Sequence, residues 1–527
     1  MPHTPQQSDA PLTNPVFRAL WIATVVSNIG TWMHDIGAGW LMTSLSSDPL
    51  MVALVQSATT FPIFVLALPA GALADIVDRR KLLIAAQALS LAGAATLAAI
   101  TLAGWTDARL LLTFTGIIGA GAAFAAPAFQ AVVAEVVPAP ALQQAVALNS
   151  LGVNIARSIG PALGGIIIAA SGSGAVFALN AVSLLGVLFV LARWRRQASA
   201  RLLPPEHFPG ALRAGLRYAL RAPELQLVLA RAVGFFLFAS GLWALLPILA
   251  RRDLGLGPAG YGGLLACMGI GAVTGALILP RLRKTIRPNA IALIASLVLA
   301  AAMASLSLSS HFAAACATLL VAGLAWIAML ASLNGAAQAA SPAWVKGRAL
   351  AVYLLVFQGS LTAGSASWGW LATMIGVPWT LLAAAAALTL ASVILALRLP
   401  LGSAAVLDLS PSAHWPSPQV ENEVEQDRGP VLVIVEYRVN PAKASEFFAA
   451  IRPLGRIRRR DGAIQWGAYE DAARLGTVIE TFIVDSWLEH LRQHDRFTNA
   501  DRIEQEALRS YMVDDGEPIV RHFIALR

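Results

Sequence analysis

Long apolar runs, separated by short polar connections, fill the first 400 residues of the chain. Most runs reach about 20 residues or more, which lets one α-helix cross a hydrocarbon core of about 30 Å. A helix also pairs its backbone groups within one segment, as lipid requires. The pattern therefore predicts twelve membrane-spanning helices, called spans one to twelve. They lie at roughly 17–45, 50–74, 81–103, 109–135, 142–170, 173–193, 224–250, 258–280, 288–309, 312–340, 346–372 and 376–398.

Composition and charge agree with a membrane protein. Of the 527 residues, 57% are hydrophobic and 13% are charged, against about 25% charged residues in soluble domains. Lys and Arg concentrate in alternate connections, above all those after spans two, six and eight. Because this bias is typical of cytoplasmic loops, we expect a multi-pass protein of the cytoplasmic (plasma) membrane with both termini inside. The net charge of +8 then reflects topology, and we expect no nucleic-acid partner.

The spans divide the chain into two halves and a separate tail. We expect a cytoplasmic segment at 1–16, a first six-helix half at 17–193 and a basic cytoplasmic linker at 194–222. The second half follows at 223–399, and the proline-rich, acidic stretch 400–430 predicts a flexible linker. The letters Gly-Ala-Leu recur where spans two and eight meet a basic turn, which favours an internal repeat of the kind that transporter folds contain.

Residues 431–527 have the pattern of a soluble α+β domain. Strands are predicted at VLVIVEYRV, about 463–470, about 475–484 and IVRHFIAL, with helices at about 441–460 and 486–511. This β-α-β-β-α-β order predicts a ferredoxin-like sandwich, and it resembles the antibiotic-biosynthesis-monooxygenase type of dimeric barrel. His490 and His494 are four apart on one helix, but no further ligand motif accompanies them, so we interpret them as a solvated helix face. We expect no metal, no cofactor and no disulfide between Cys267 and Cys316.

The turn after span two reads GALADIVDRRK. Gly71, Asp75, Arg79 and Arg80 match the loop signature of the major facilitator superfamily, while other positions depart from it. The glycine would allow close helix approach, and the carboxylate could pair with a guanidinium or with a helix N-terminus such as one at Ser341-Pro342. The resemblance implies a latch in which Asp75 holds the two halves together in the outward-open state. The alternative is a charge cluster that only sets topology.

Span five carries NIARSIGPALGG. Gly160, Pro161, Gly164 and Gly165 match the superfamily's G-P-x-x-G-G signature, and the resemblance implies an exporter of the antiporter type. Glycines let another helix approach closely, and the glycine-rich span eight is the expected partner. The alternative is that such helices are simply common in membranes.

Charged side chains inside the spans are costly in lipid and are therefore functional candidates. Asp35 is the candidate for proton coupling, with the alternative of a cap or ion pair at the end of the first helix. Arg157 could pair with Asp35, bind an anionic substrate or close the bend at Pro161. His34 could take part or merely form a hydrogen bond. Further candidates are Arg231, Glu135 and Glu224, and the cavity-lining candidates Trp32, Trp40, Asn149, Asn154, Asn334, Gln338 and Gln358.

Runs such as GTWMHDIGAGWLMTSL and SWLEHLRQHDRFTNAD resemble the superfamily branch of enterobactin exporters and related secretion effectors, over nearly the whole chain. The resemblance implies an all-α membrane protein with a twelve-helix, 6+6 fold and export driven by the proton gradient. We therefore expect a non-enzymatic secondary transporter that uses protons to export small organic molecules such as siderophores or drugs. The alternatives are an importer and a membrane-anchored enzyme or sensor with a monooxygenase-like tail. The tail could also regulate transport or associate with a second copy.

Overall fold

The computed structural model describes residues 10–194, 208–402, 407–412, 415, 424–425, 427–513 and 518–526, without the side chains of 72, 74–76, 139 and 208–212. The chain forms two compact units. The first comprises Met1–Glu206, Leu229–Asn334 and Tyr353–Leu401. The second comprises His207–Val228, Gly335–Val352 and Gly402–Arg527.

Thirteen helices precede the tail in the described chain. They are α1 Pro15–Leu45, α2 Pro49–Ile76, α3 Arg79–Leu102, α4 Ala108–Val136, α5 Leu142–Ser171, α6 Ser173–Arg193, α7 Phe208–Arg221, α8 Pro223–Ile248, α9 Pro258–Thr285, α10 Pro288–Ser307, α11 Phe312–Ala339, α12 Lys346–Ile375 and α13 Val377–Arg398. Helices α1–α6 correspond to spans one to six, and α8–α13 to spans seven to twelve. Eleven helices in the described part are long and apolar enough to cross a membrane, and α1 is the long helix that does not reach this hydropathy. The predicted helical membrane fold with a small α+β tail is confirmed.

Side-chain caps set where several helices begin. The Asn14 side chain accepts hydrogen bonds from the backbone N–H groups of Val16 and Phe17 at the start of α1. Asp48, Asp78 and Asp107 cap α2, α3 and α4 in the same way. These caps pair backbone donors that the first turn of a helix leaves free.

Within the first unit, α1 packs against α5 and α6, α3 packs against α4 and α6, and α2 packs against α4. Helices α10 and α13 pack together in the second half. Helix α5 packs along α9, which joins the two halves.

Part of the predicted linker is a helix rather than an irregular connection. Helix α7 buries a side of small residues and Tyr218, while Arg213, Leu216, Leu220 and Arg221 are exposed. Two prolines of the linker, Pro204 and Pro205, lie outside the described residues, and Pro209 is the second residue of α7, where proline is compatible with a helix start. The expected helix start at Ser341-Pro342 is also wrong, because α12 begins at Lys346 and the Ser341 hydroxyl bonds back to Ala337 at the end of α11.

The tail contains β1 Val431–Arg438, α14 Ala444–Ala450, α15 Arg452–Asp461, β2 Gln465–Glu470, β3 Thr477–Val484, α16 Trp487–Arg496, α17 Asn499–Ala507 and β4 Ile519–Ile524. Its sheet has the order β2-β3-β1-β4 with antiparallel neighbours. Alternate residues of β1 are buried against the helices, as the alternation predicted. Each predicted helix is two helices in the structure, and the capping box at Thr498 marks the second break.

A buried polar network crosses the core of the tail. The Glu480 carboxylate accepts hydrogen bonds from Arg458 at 3.1 Å, Tyr437 at 2.8 Å and Trp466 at 2.9 Å. Burial alone would raise the pKa of Glu480, but the charge of Arg458 and these three donors outweigh it and hold the pKa below its usual range. The Glu480 carboxylate is therefore satisfied while fully buried, whereas Nη1 of Arg458 has no hydrogen-bond partner among the described residues.

His490 is buried rather than solvated, which corrects the sequence interpretation. Its ring lies 4.6 Å from that of His522 and 4.9 Å from that of His494, measured between centroids. Burial, together with these two neighbours, lowers the pKa of His490 to about 3. His490 is therefore neutral at pH 7.

Parts of the predicted flexible linker 400–430 pack on the tail. The backbone N–H of Ser412 donates to the Phe497 carbonyl at 2.9 Å, and Asn499 donates to the Ser410 carbonyl at 3.0 Å. The Trp415 ring stacks on Phe497 with centroids 4.3 Å apart. These described residues belong to the tail fold.

In the second unit the tail also packs against α7 and the turn after α11. The Tyr218 hydroxyl donates to the Ala340 carbonyl at 2.8 Å. Arg217 forms an ion pair with Glu489 at 3.2 Å, and the Arg496 guanidinium lies over the Trp344 ring at 4.7 Å. Segments far apart in the sequence thus form one compact unit.

Candidate functional site

One face of α1 packs against α6. The His34 ring lies 4.7 Å from the Phe177 ring, and a Cβ placed on Gly37 would lie 2.6 Å from Val176. His34 is 1% exposed, and neither of its ring nitrogens has a hydrogen-bond partner among the described residues. His34 thus faces the interior of the first half.

A second face of α1 contacts the second half. Trp32 lies 6.4 Å from Trp243, and the Thr43 hydroxyl accepts a hydrogen bond from Arg251 at 2.9 Å. Asp35 follows Trp32 by three positions and precedes Gly39, which contacts Pro247, by four. Residues at this spacing share a helix face, so Asp35 lies on the stripe of α1 that is turned towards the second half.

Arg157 lies beside this stripe. Its guanidinium is over the Trp32 ring, 5.6 Å from the centroid. Its Nε and Nη1 are buried without hydrogen-bond partners in the described chain. The ion pair with Asp35 that the sequence offered as one option does not form among the described residues. Buried N–H donors of this kind favour an anionic ligand.

Aromatic side chains of the second half continue from Trp32. Trp243 lies 5.5 Å from Trp326, and Trp326 lies 5.7 Å from Phe236. Phe236 in turn lies 4.3 Å from Phe357. Sequence analysis missed the four second-half residues, although aromatic residues within spans seven, ten and eleven were a visible signal.

The glycines of span five sit in close helix contacts. A Cβ on Gly164 would lie 3.1 Å from the Met33 backbone of α1, and one on Gly165 would lie 2.8 Å from the Pro258 carbonyl oxygen of α9. A Cβ on Gly262 would lie 2.7 Å from the Pro161 carbonyl oxygen. The prediction that span five packs on span eight is therefore confirmed.

Gly160 completes this arrangement, since a Cβ there would lie 2.6 Å from the Trp32 side chain. Helix α5 thus contacts α1 through Gly160 and Gly164, and contacts α9 through Pro161 and Gly165. All four motif residues lie in interfaces that a larger side chain would open.

The turn between α2 and α3 is bound to the first half. Arg79 forms an ion pair with Glu135 of α4 at 2.8 Å. Arg80 donates to the carbonyls of Leu191 and Ala192 at the end of α6, at 2.7 and 2.8 Å. Glu135, a sequence candidate, therefore stabilises this turn.

Asp75 and Gly71, two positions of the predicted latch, make no described contact that tests the latch. The Asp75 side chain lies outside the described residues, so its expected role stays a prediction. A Cβ on Gly71 would meet nothing within 4 Å among the described residues. The close helix approach expected at Gly71 therefore stays a prediction for another conformation.

The remaining candidates are dispersed. Arg231 in α8 is 2% exposed and its Nη1 has no partner among the described residues. Trp40 stacks on Tyr261 at 5.9 Å, and Asn154 donates to a carbonyl of its own helix. Gln358 is buried in α12 and Asn149 is half-buried in α5, whereas Glu224, Asn334 and Gln338 lie near helix ends. The structure therefore brings only part of the predicted set together.

A family model described as a transmembrane secretion effector matches residues 6–527 of the chain. The match covers the helical region and the tail together.

Several curated proteins are similar over about half of the chain. An MFS-type transporter of Bacillus subtilis, the uncharacterized YfiS, is 29% identical over 289 residues, covering 52% of this chain and 67% of that protein. The staphyloferrin A transporter of Staphylococcus aureus is 25% identical over 265 residues, covering 49% and 65%. The enterobactin exporter EntS of Escherichia coli is 27% identical over 301 residues, covering 54% and 68%. The chain thus spans about two thirds of the length of these relatives.

Solved transporter structures share the fold. A bacterial homolog of the human lysosomal transporter Spinster, inward-facing and unoccupied, aligns with a TM-score of 0.58 and 15% identity, over 72% of this chain and 96% of that one. A POT family transporter in complex with 5-aminolevulinic acid aligns with a TM-score of 0.61 and 13% identity, over 75% and 98%. At these identities the likeness concerns the fold alone.

Proposed function

We propose that this chain, which belongs to the transmembrane secretion effector family of major facilitator transporters, exports small organic molecules from the cytoplasm in exchange for protons. Its relatives include a staphyloferrin A transporter and an enterobactin exporter. The observation that carries the proposal is the placement of Asp35 and Trp32 on the α1 face that is turned towards the second half, with the Arg157 guanidinium of α5 over the Trp32 ring.

The side chains at this face favour an anionic, aromatic substrate. Arg157 supplies N–H donors that have no partners among the described residues, and Trp32 and Trp243 supply aromatic faces beside it. Planar aromatic groups stack on such rings, and a guanidinium binds oxyanions with directed hydrogen bonds. Catecholates, the chemistry of some siderophores, combine both features.

Asp35 is the proposed proton carrier. It forms no hydrogen bond or ion pair among the described residues, so a proton can add to its carboxylate without breaking a structural contact. Its position at the junction of the halves lets protonation alter how the halves associate. Asp75 is the proposed latch that holds the two halves together at the cytoplasmic end in the outward-open state. The G-P-x-x-G-G motif of span five supports export as the direction of transport.

The test uses everted membrane vesicles with an acid interior and a pH-sensitive dye. We expect a catecholate siderophore to collapse the proton gradient in vesicles that contain the full chain. Asp35→Asn removes the titrating group and should abolish this signal. Arg157→Gln should raise the half-maximal substrate concentration about 10-fold or more, because a charge-assisted hydrogen bond is worth about 1.5–3 kcal/mol.

Asp107→Asn is the matched control for Asp35→Asn. Asp107 caps α4 at an exposed position, and asparagine caps a helix about as well as aspartate. Proton exchange that survives in Asp35→Asn as in Asp107→Asn would contradict the assignment of Asp35. Substrate accumulation in right-side-out vesicles, with none in everted ones, would favour import instead.

A further inference from the structure

Helix α7 has an exposed face that combines arginine with leucine. Arg213, Arg217 and Arg221 recur every four residues, with Leu216 and Leu220 between them. Residues at this spacing lie on one side of a helix. Leu216 is 47% and Leu220 is 64% exposed, so this side is amphipathic and open.

This face borders a cavity of about 520 Å³ in the second unit. The tail contributes Arg456 from α15, and α8 contributes Pro223 and Gln226. Eight residues line the cavity, four of them arginines and none of them acidic. The cavity therefore needs both α7 and the tail to form.

Three of the four arginines form no ion pair with the described residues. Arg213, Arg221 and Arg456 are exposed, and none of them has an ion-pair partner in the part of the chain that the structure describes. Arg217 is the exception, since it pairs with Glu489. Arg221 and Arg456 also line a smaller neighbouring cavity of about 150 Å³, to which Glu224, Asp501 and Glu504 contribute carboxylates.

The cavity lies at the edge of the apolar part of the chain. A candidate membrane span runs over Pro223–Asp253, so Pro223 and Gln226 are in its first turn. A basic cavity in the first turn of a span is at the depth of lipid headgroups, where clustered arginines attract anionic lipids. Exposed leucines beside such charges insert among acyl chains.

We propose that this cavity binds the phosphate headgroup of an anionic phospholipid, with Arg213, Arg221 and Arg456 around the phosphate and Leu216 and Leu220 against the acyl chains. Because Arg456 belongs to the tail, the bound lipid holds the tail domain to α7 at the membrane surface. The site is independent of the direction and coupling of transport.

The test titrates the detergent-purified full chain with phosphatidylglycerol and with phosphatidylcholine, and counts bound lipids by native mass spectrometry. We expect phosphatidylglycerol to bind at least about 10-fold more tightly. Replacing Arg213, Arg221 and Arg456 by glutamine should weaken its binding about 100-fold, at about fivefold for each charge near the surface. The matched control replaces Arg281, Arg283 and Arg287, three exposed arginines at the end of α9 and just after it, by glutamine and should bind as the parent chain does.

Two further results decide between a lipid and a free anion. Leu216→Ser with Leu220→Ser should weaken phosphatidylglycerol binding without changing the weak binding of inorganic phosphate. Equal phosphatidylglycerol binding by both glutamine variants would overturn the proposed site. Inorganic phosphate that displaces phosphatidylglycerol at equal concentration would overturn the lipid as its ligand.

Discussion

His34 and Asp35 are neighbours in the chain but serve different surfaces. Successive residues of a helix point about 100° apart, so His34 faces Phe177 in the first half, whereas Asp35 shares the stripe of Trp32. The charged candidate is therefore placed where the halves meet, and the imidazole is placed inside one half. His34 and Asp35 therefore do not form a functional pair in this fold, although they are adjacent in the sequence.

His490 gives the tail a dependence on pH. Its pKa is lowered to about 3 in the folded chain, against about 6.5 when unfolded. The unfolded state therefore binds more protons between these values, and stability falls as the pH drops below 6.5. From pH 7 to pH 5 the loss should be about 2 kcal/mol.

The measurement is hydrogen exchange of the β-strands of the tail, in the full chain, at pH 7 and pH 5. His490→Leu should retain most of the stability that the parent chain loses between these values. The same loss in the variant would show that other groups carry the pH dependence.

The sequence identified candidate residues well, but it did not predict which residues surround them. The spacing of His490 and His494 was visible in the sequence, but the burial of His490 depends on His522 of β4, which comes much later in the chain. Likewise, the partner of Arg79 is Glu135, 56 positions away. Local patterns carry no information about such distant contacts.

Among the helices, the pair α5 and α9 depends directly on glycine. Backbone atoms occupy the space where a Cβ of Gly165 or Gly262 would lie, so the two halves meet there without side chains between them. Such contacts gain dispersion energy and need no apolar side chain. The glycine pattern of span five predicted this contact because small residues recur at helix interfaces.

Gly262→Ala should lower the free energy of unfolding by about 1–3 kcal/mol, since overpacking forces the helices apart. Gly186→Ala in α6 is the control, because a Cβ there meets nothing within 4 Å. Alanine in an open helical position should be neutral or stabilising by about 0.5–1 kcal/mol. Unfolding of the purified chain in increasing SDS measures both, and equal midpoints would contradict the close contact.

Helix α7 marks the limit of prediction at this scale. The prolines and arginines at 194–222 indicated a linker, yet small residues at 214, 215, 219 and 222 form a buried side together with Tyr218. The spacing of these residues indicates a buried helix face only when the tail surface that covers it is known. Hydropathy along the chain does not reveal that surface. The spans themselves were predictable because lipid imposes one length and one composition on each.

At the scale of the whole molecule, the second unit collects three separate stretches of chain. Glu489 is central to it, because it binds Arg217 of α7 at 3.2 Å and Arg496 at 2.5 Å. Burial would raise the pKa of Glu489, but hydrogen bonding and charge from Arg496 and Arg217 outweigh it, so the pKa is lowered. The carboxylate is therefore ionised and bonded on both sides at pH 7.

Glu489→Ala leaves the buried guanidinium of Arg496 and the partly buried guanidinium of Arg217 without their anion. We expect a loss of about 1–3 kcal/mol of local stability, below the value for a fully buried pair because Arg217 is partly exposed. Amide exchange in α7 should therefore become about 10- to 100-fold faster. Glu506→Ala, which removes an exposed pair with Arg502 at 3.7 Å, should have little effect, and equal exchange in the two variants would contradict the role of Glu489.

The make-up of the second unit has a mechanical consequence. The start of α8, the end of α11 and the start of α12 lie in the same compact unit as the tail domain. Within this unit, a displacement of the tail should therefore be shared by these three helix ends. Two spin labels, one on the tail and one in the first turn of α8, should keep a constant separation when substrate is added.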